Sequence, residues 1–305
     1  MEYKDKQIIS VEDFCASNII DDTKRSEGLE TPNDVERFDN IFYGPDKNVN
    51  YLDVYLPKNH NEKLPVIVSI HGGGWVYGNK DIMQFYCMSL AQHGFAVINF
   101  SYRLAPKYKH PTPFIDTNTV FCWVFDNAEK YGFDTNNIFA VGDSVGANIL
   151  ALYSCACADK DYAKSLSIET PKNFMPNAIG LNCGIYRMKR EEIDPLLNSF
   201  ADVYFTQGGT EAEYEDICVK NHLTSNFPAS FVATAEGDFL ASQAMPFYEL
   251  LKQFGIDTEY HYYGDKEHVL KHVFHIDIKL AEARQCNEDE CAFFKKHIKK
   301  AQGEF

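Results

Sequence analysis

The most constraining stretch of this chain runs from residue 138 to residue 158. Four apolar residues, Ile138-Phe139-Ala140-Val141, lead into Gly142-Asp143-Ser144-Val145-Gly146, and helix-forming residues continue to Ala158. A backbone that turns sharply from strand to helix leaves no room for bulk beside the turn, and a glycine on each flank meets that demand. The turn also lifts the Ser144 side chain to an apex at the end of the strand.

The rest of the chain keeps the same rhythm. Short apolar runs at 65–70, 95–100 and 138–141 are bounded by turn residues, and four to six apolar residues with little alternation suit strands buried on both faces. Helix-length segments, 81–93 and 116–131, lie between them. Leu52, Val54 and Leu56 alternate with Asp53 and Tyr55, the period of a strand, and Pro57 ends it. A later strand over 230–235 precedes an amphipathic segment over 244–254, and another strand covers 258–263. Strand alternating with helix implies parallel βαβ units and an α/β fold with helices on both faces of the sheet. With 45% hydrophobic side chains over 305 residues, the chain can bury one large core, so 1–305 reads as a single domain. Two segments break the rhythm. Residues 1–45 are polar and read as one or two helices ahead of the core. Residues 185–226 carry Pro195 and Gly208-Gly209 and read as an insertion over the C-terminal edge of the sheet, where open α/β folds bind ligands. Together the two are expected to form a cap.

Charge narrows the choice of partners. With 44 acidic and 29 basic residues the net charge is −15, which repels phosphate backbones and anionic lipid, so no nucleic-acid and no membrane partner is expected. No apolar run approaches the roughly 20 residues of a membrane span. Residues 1–10 lack a secretory apolar region, and the nine cysteines show no repeating spacing. They read as reduced thiols in the cytoplasm.

His71-Gly72-Gly73-Gly74-Trp75 directly follows the run at 65–70. Successive glycines let backbone N–H groups converge on one point, as the oxyanion of an acyl transfer requires. A phosphate-cradling loop would call for a following Lys-Ser or Lys-Thr, which is absent. This block, Tyr102-Arg103-Leu104-Ala105-Pro106 and the serine block together resemble the signature blocks of the hormone-sensitive-lipase-like esterases of the α/β-hydrolase superfamily. Pro111, Pro113 and Asp116 fit the same pattern, and the resemblance extends over residues 51–274. It implies an eight-stranded, mostly parallel sheet under a helical cap. It also implies hydrolysis of carboxylic esters, mainly of short acyl chains, with no metal and no organic cofactor. Carried over by position, Ser144 is the nucleophile. The N–H groups of Gly73, Gly74 and Val145 form the oxyanion hole, and His71 braces the glycine loop. Where the family has Ala-Gly-Gly after the serine, this chain has Val145-Gly146-Ala147, whose extra methyls either narrow the pocket or repack beside it.

In this superfamily the acid and then the histidine follow the nucleophile along the chain. Asp238, just beyond the strand at 230–235, resembles the family's acid, with Glu236 the nearest competitor. His272-Val273-Phe274 matches the family's histidine pattern better than His268-Val269-Leu270. His268, His272 and His275 are also spaced for one helix face, but no carboxylate or cysteine completes a recognised metal motif. Trp75 suits either the substrate site or the core, and Cys155 and Cys157 suit buried positions on the helix after Ser144. The expected partner is a small ester, with a homodimer also compatible. Two other functions share these residues: amide or peptide hydrolysis on the same triad, and a non-catalytic small-ligand receptor on an esterase scaffold.

Overall fold

The apolar runs become strands of one sheet. In the computed structural model, which describes residues 10–192 and 195–300, the strands are β1 (Val35–Phe42), β2 (Tyr51–Pro57), β3 (Leu64–Ile70), β4 (Ala96–Phe100), β5 (Phe133–Asp143), β6 (Ala178–Asn182), β7 (Ala229–Ala235) and β8 (Thr258–Tyr263). Their order is β1-β2-β4-β3-β5-β6-β7-β8. β2 pairs antiparallel with both β1 and β4, and the other ladders are parallel. The helices are α1 (Val11–Ser26), α2 (Lys80–Gln92), α3 (Thr112–Asp126), α4 (Ala128–Tyr131), α5 (Val145–Ala158), α6 (Lys160–Ser165), α7 (Pro195–Tyr204), α8 (Glu211–Asp216), α9 (Ala241–Gln253) and α10 (Ala281–Lys296).

Burial on both faces explains the unalternating runs. Along β3, Val66, Val68 and Ile70 belong to the apolar layer that also holds side chains of α3, α5 and α9, while Ile67 between them belongs to the layer with α2 and α10. Two apolar layers therefore sandwich the sheet.

Several elements differ from the sequence reading, helices α6 and α10, which it did not include, among them. The second half of the segment 1–45 is strand β1, not helix. Asn40 sits at φ 57° in a bulge between Phe38 and Ile41, and its N–H donates to Asp53 (2.8 Å), so the period of two is interrupted and hidden among charged edge residues. Strand β6 escapes notice because Gly180 breaks its apolar run. The helix expected over 116–131 begins at Thr112 and is divided at Asn127 into α3 and α4. Residues 1–9 and 193–194 of the two segments expected to form a cap lie outside the described residues. Among the described residues no helix is long and apolar enough to cross a membrane, and all nine cysteines are free.

The chain leaving β4 braces the loop after β3. The Tyr102 hydroxyl donates to the His71 carbonyl (2.9 Å), and its ring stacks on the His71 ring at 4.1 Å. Next to it, the Arg103 guanidinium and backbone N–H both bind the fully buried Asp116 carboxylate, which also accepts from the Asn50 amide. Removing one partner of such a pair strands the other. Asp116→Ala should lower unfolding free energy by about 3 kcal/mol, read from the midpoint of chemical denaturation; a loss below about 1 kcal/mol would mean the pair does little for the fold.

Candidate active site

Ser144 stands between β5 and α5 at φ 52° and ψ −119°, outside the regions ordinary side chains favour. Its neighbours enforce that conformation. A Cβ at Gly142 would strike the Gly146 backbone, and one at Gly146 would strike the Ile70 carbonyl of β3. The Ser144 N–H donates to the carbonyl of Asn182 at the end of β6 (3.0 Å). Val145 and Ala147, the two departures from the family pattern, are fully buried in the core on the α5 side of the sheet, so their methyls repack the core and do not line the cavity.

The glycine loop lies beside the serine. Gly73 and Gly74 take positive φ (108° and 62°), and a Cβ at Gly74 would strike the ring of Phe200 on α7. Among the described residues nothing accepts the N–H of Gly73, Gly74 or Val145. Gly72 is held instead: its N–H donates to Asp143 Oδ1 (3.0 Å), the residue just before the serine. The His71 ring is enclosed, and its Nδ1 lies 2.8 Å from the Gly72 carbonyl. Burial outweighs that hydrogen bond and lowers the His71 pKa to about 4, so the ring is neutral. Trp75 is fully buried and stacked on Tyr204 of α7 at 4.6 Å, a packing role and not a cavity wall.

The late strands bring acid and histidine together. Asp238 follows β7, and its Oδ1 lies 2.6 Å from His272 Nδ1. Oδ1 also accepts the Leu240 N–H (2.9 Å), and Oδ2 accepts the Thr234 hydroxyl (2.7 Å). Burial alone would raise the Asp238 pKa; the bonds from His272, Thr234 and Leu240 overcome it and hold the carboxyl below its ordinary value. The competitors are engaged elsewhere. Glu236 accepts from the Tyr262 hydroxyl, and His268 Nε2 lies 2.9 Å from Glu282. His268, His272 and His275 share no helix, because Val273 takes φ 54° and a single 3₁₀ turn follows; His275 is buried against Tyr86.

Ser144, Gly73, Gly74 and His272 line one cavity of about 770 Å³. Its walls are largely apolar and include Phe14 of α1, Leu197 and Phe200 of α7, and Phe239, whose ring lies 4.4 Å from that of His272. Phe14 and Phe200 touch at 4.6 Å. At the polar end, Asp22 of α1 accepts from Tyr77 (2.6 Å) and pairs with Arg25 (2.6 Å). Donor atoms of Cys183, Asp238 and His272 lie within 4.8 Å of one another, the one such trio among the described residues. Asp238 and His272 already bond each other there. Asn182, Thr234 and Cys183 were invisible in the sequence, since their parts depend on strands that pair only in the fold.

The family model for the alpha/beta hydrolase fold matches residues 67–272. Versiconal hemiacetal acetate esterase of Dothistroma septosporum is 26% identical over 231 residues, 70% of this chain and 69% of that protein. Carboxylesterase NlhH of Mycobacterium tuberculosis is 28% identical over 221 residues, 68% of this chain and 66% of that protein. The crystal structure of phosphonate-inhibited esterase B from Lactobacillus rhamnosis superposes with a TM-score of 0.85 at 21% identity, covering 94% of both chains. This chain belongs to the α/β-hydrolase fold family. Within it, the chain groups with the hormone-sensitive-lipase-like members that its glycine and serine blocks resemble.

Asp143 gives the site a pH signature. Burial raises its pKa to about 7, against the lowering influence of His272 and of the Gly72 N–H. A carboxyl that binds its proton more tightly when folded stabilises the fold fully below its unfolded pKa near 4, and that contribution is lost as pH rises through about 7. Asp143→Asn cannot ionise. Its stability relative to wild type should therefore improve between about pH 4 and pH 7 and level off above that in denaturant titrations, and a difference that stays flat across that range would contradict the shift.

Proposed function

We propose that this chain is a serine hydrolase of carboxylic esters that works through Ser144, His272 and Asp238. The observation that carries the proposal is the 2.6 Å His272–Asp238 pair opening onto the same cavity as the strained Ser144. His272 takes the Ser144 hydroxyl proton as Oγ attacks the ester carbonyl, and Asp238 holds the imidazole in the tautomer that leaves Nε2 free to do so. The unclaimed N–H groups of Gly73, Gly74 and Val145 receive the negative charge that develops on the carbonyl oxygen. Collapse breaks the ester C–O bond, His272 returns the proton to the leaving alkoxide, and an acyl-enzyme remains. Water then repeats the sequence and releases the acid.

The names of the relatives support an ester as substrate, and one of them is an acetate esterase. A largely apolar cavity suits a small neutral ester, with a short acyl group beside the glycine loop. In this proposal α1 and the helices over 195–216 form the cap that closes over the ester.

Hydrolysis of p-nitrophenyl acetate, butyrate and octanoate tests these assignments. Turnover should be fastest on the short chains. Ser144→Ala and His272→Ala should lower kcat by about 10⁴-fold or more, and Asp238→Asn by about 10⁴-fold. His268→Ala and Glu236→Gln should stay within about threefold of wild type. A dead His268→Ala beside an active His272→Ala would move the base to His268. Absence of turnover on every ester, with an amide substrate cleaved, would replace the esterase proposal by an amidase.

A further inference from the structure

On the face of the sheet covered by α2 and α10, a carboxyl group with no part in the proposed chemistry is fully enclosed. Glu290 of α10 is 1% exposed. Its Oε1 accepts from the Asn182 side-chain amide at 2.8 Å, and its Oε2 accepts from the Tyr86 hydroxyl at 2.9 Å. Gly180 lies two residues before Asn182 on the same face of β6, and a Cβ there would run into this carboxyl. Enclosing a carboxyl costs free energy that a hydrocarbon of the same size would not. The fold keeps it nonetheless and clears a strand position to admit it.

The residue that Glu290 grips joins both halves of the site. Asn182 ends β6, paired with Asp143 on one side and Ala233 on the other. Its carbonyl accepts the Ser144 N–H at 3.0 Å, and the next residue, Cys183, donates its N–H to the Ala233 carbonyl at 2.7 Å. The Cys183 sulfur in turn lies within 4.8 Å of the Asp238 and His272 donors.

We propose that Glu290 is a positioning residue for the reaction, fixing Asn182 and through it the spacing between Ser144 and the Asp238–His272 pair. This rests on the triad proposed above. Misplacement of reacting groups by about 1 Å can cost about 10²-fold in rate. Glu290 touches no substrate, so its loss falls on kcat and leaves KM unchanged.

The test is steady-state kinetics on p-nitrophenyl butyrate for wild type, Glu290→Gln, Glu290→Met and Asn182→Ala, with thermal melts and phosphonate labelling of Ser144. Glutamine retains an acceptor for the Asn182 amide and a donor for the Tyr86 oxygen, whereas methionine fills the space and grips neither. The expected result is kcat within about threefold of wild type for Gln and about tenfold lower for Met at unchanged KM. Asn182→Ala should show a similar loss, and adding Glu290→Met to it should cost little more. A folded Glu290→Met with kcat within about twofold of wild type overturns the proposal. If that variant does not fold, an Asn182→Ala enzyme with undiminished kcat overturns it just as well. Failure of wild-type Ser144 to take the phosphonate is a separate result, because it removes the triad and this inference with it.

Discussion

Ser144 holds a backbone conformation that costs of order 1–3 kcal/mol for a residue with a side chain, and it persists only because its surroundings leave no alternative. β5 is locked between β3 and β6, Gly142 and Gly146 let the turn close on itself and on the Ile70 carbonyl, and Asn182 takes the serine N–H. Relaxation of the serine would have to break parallel ladder bonds in the middle of the sheet. The strained turn is thus held by a buried part of the sheet.

The glycine loop is tied to the same strand. Asp143, covalently next to the serine, holds the Gly72 N–H, while Tyr102 stacks on His71 and donates its hydroxyl to the His71 carbonyl. The loop that would receive an oxyanion and the residue that would create it therefore share one rigid mount. Preorganisation of this kind matters because donors that must reorient during the reaction lose much of their electrostatic advantage.

Much of this was legible in the sequence because it is local. The flanking glycines announce the turn at Ser144, and consecutive glycines after β3 announce a backbone donor loop. The continuous apolar runs give the doubly covered sheet. What escaped is what depends on non-local pairing. The polar edge strand β1 hides its period behind the bulge at Asn40, and Gly180 breaks the apolar run of β6. Asp238 and Glu236, two residues apart after one strand, look alike in the sequence, and only the fold shows that one is buried against His272 and the other turned to Tyr262. The same holds for His268 and His272, which differ in where the loop after β8 delivers them. Trp75, beside the glycines in sequence, faces the core because Tyr204 of α7 stacks on it.

Part of the cavity wall comes from α1 and α7, and neither helix belongs to the sheet. Substitutions at Phe14, Leu197 or Phe200 disturb side-chain packing but leave strand pairing, the serine turn and the acid–histidine pair in place. Selectivity and chemistry are consequently heritable as separate traits. A lineage carrying this scaffold can drift among esters of different size and polarity by altering two helices, with the reaction centre passed on unchanged.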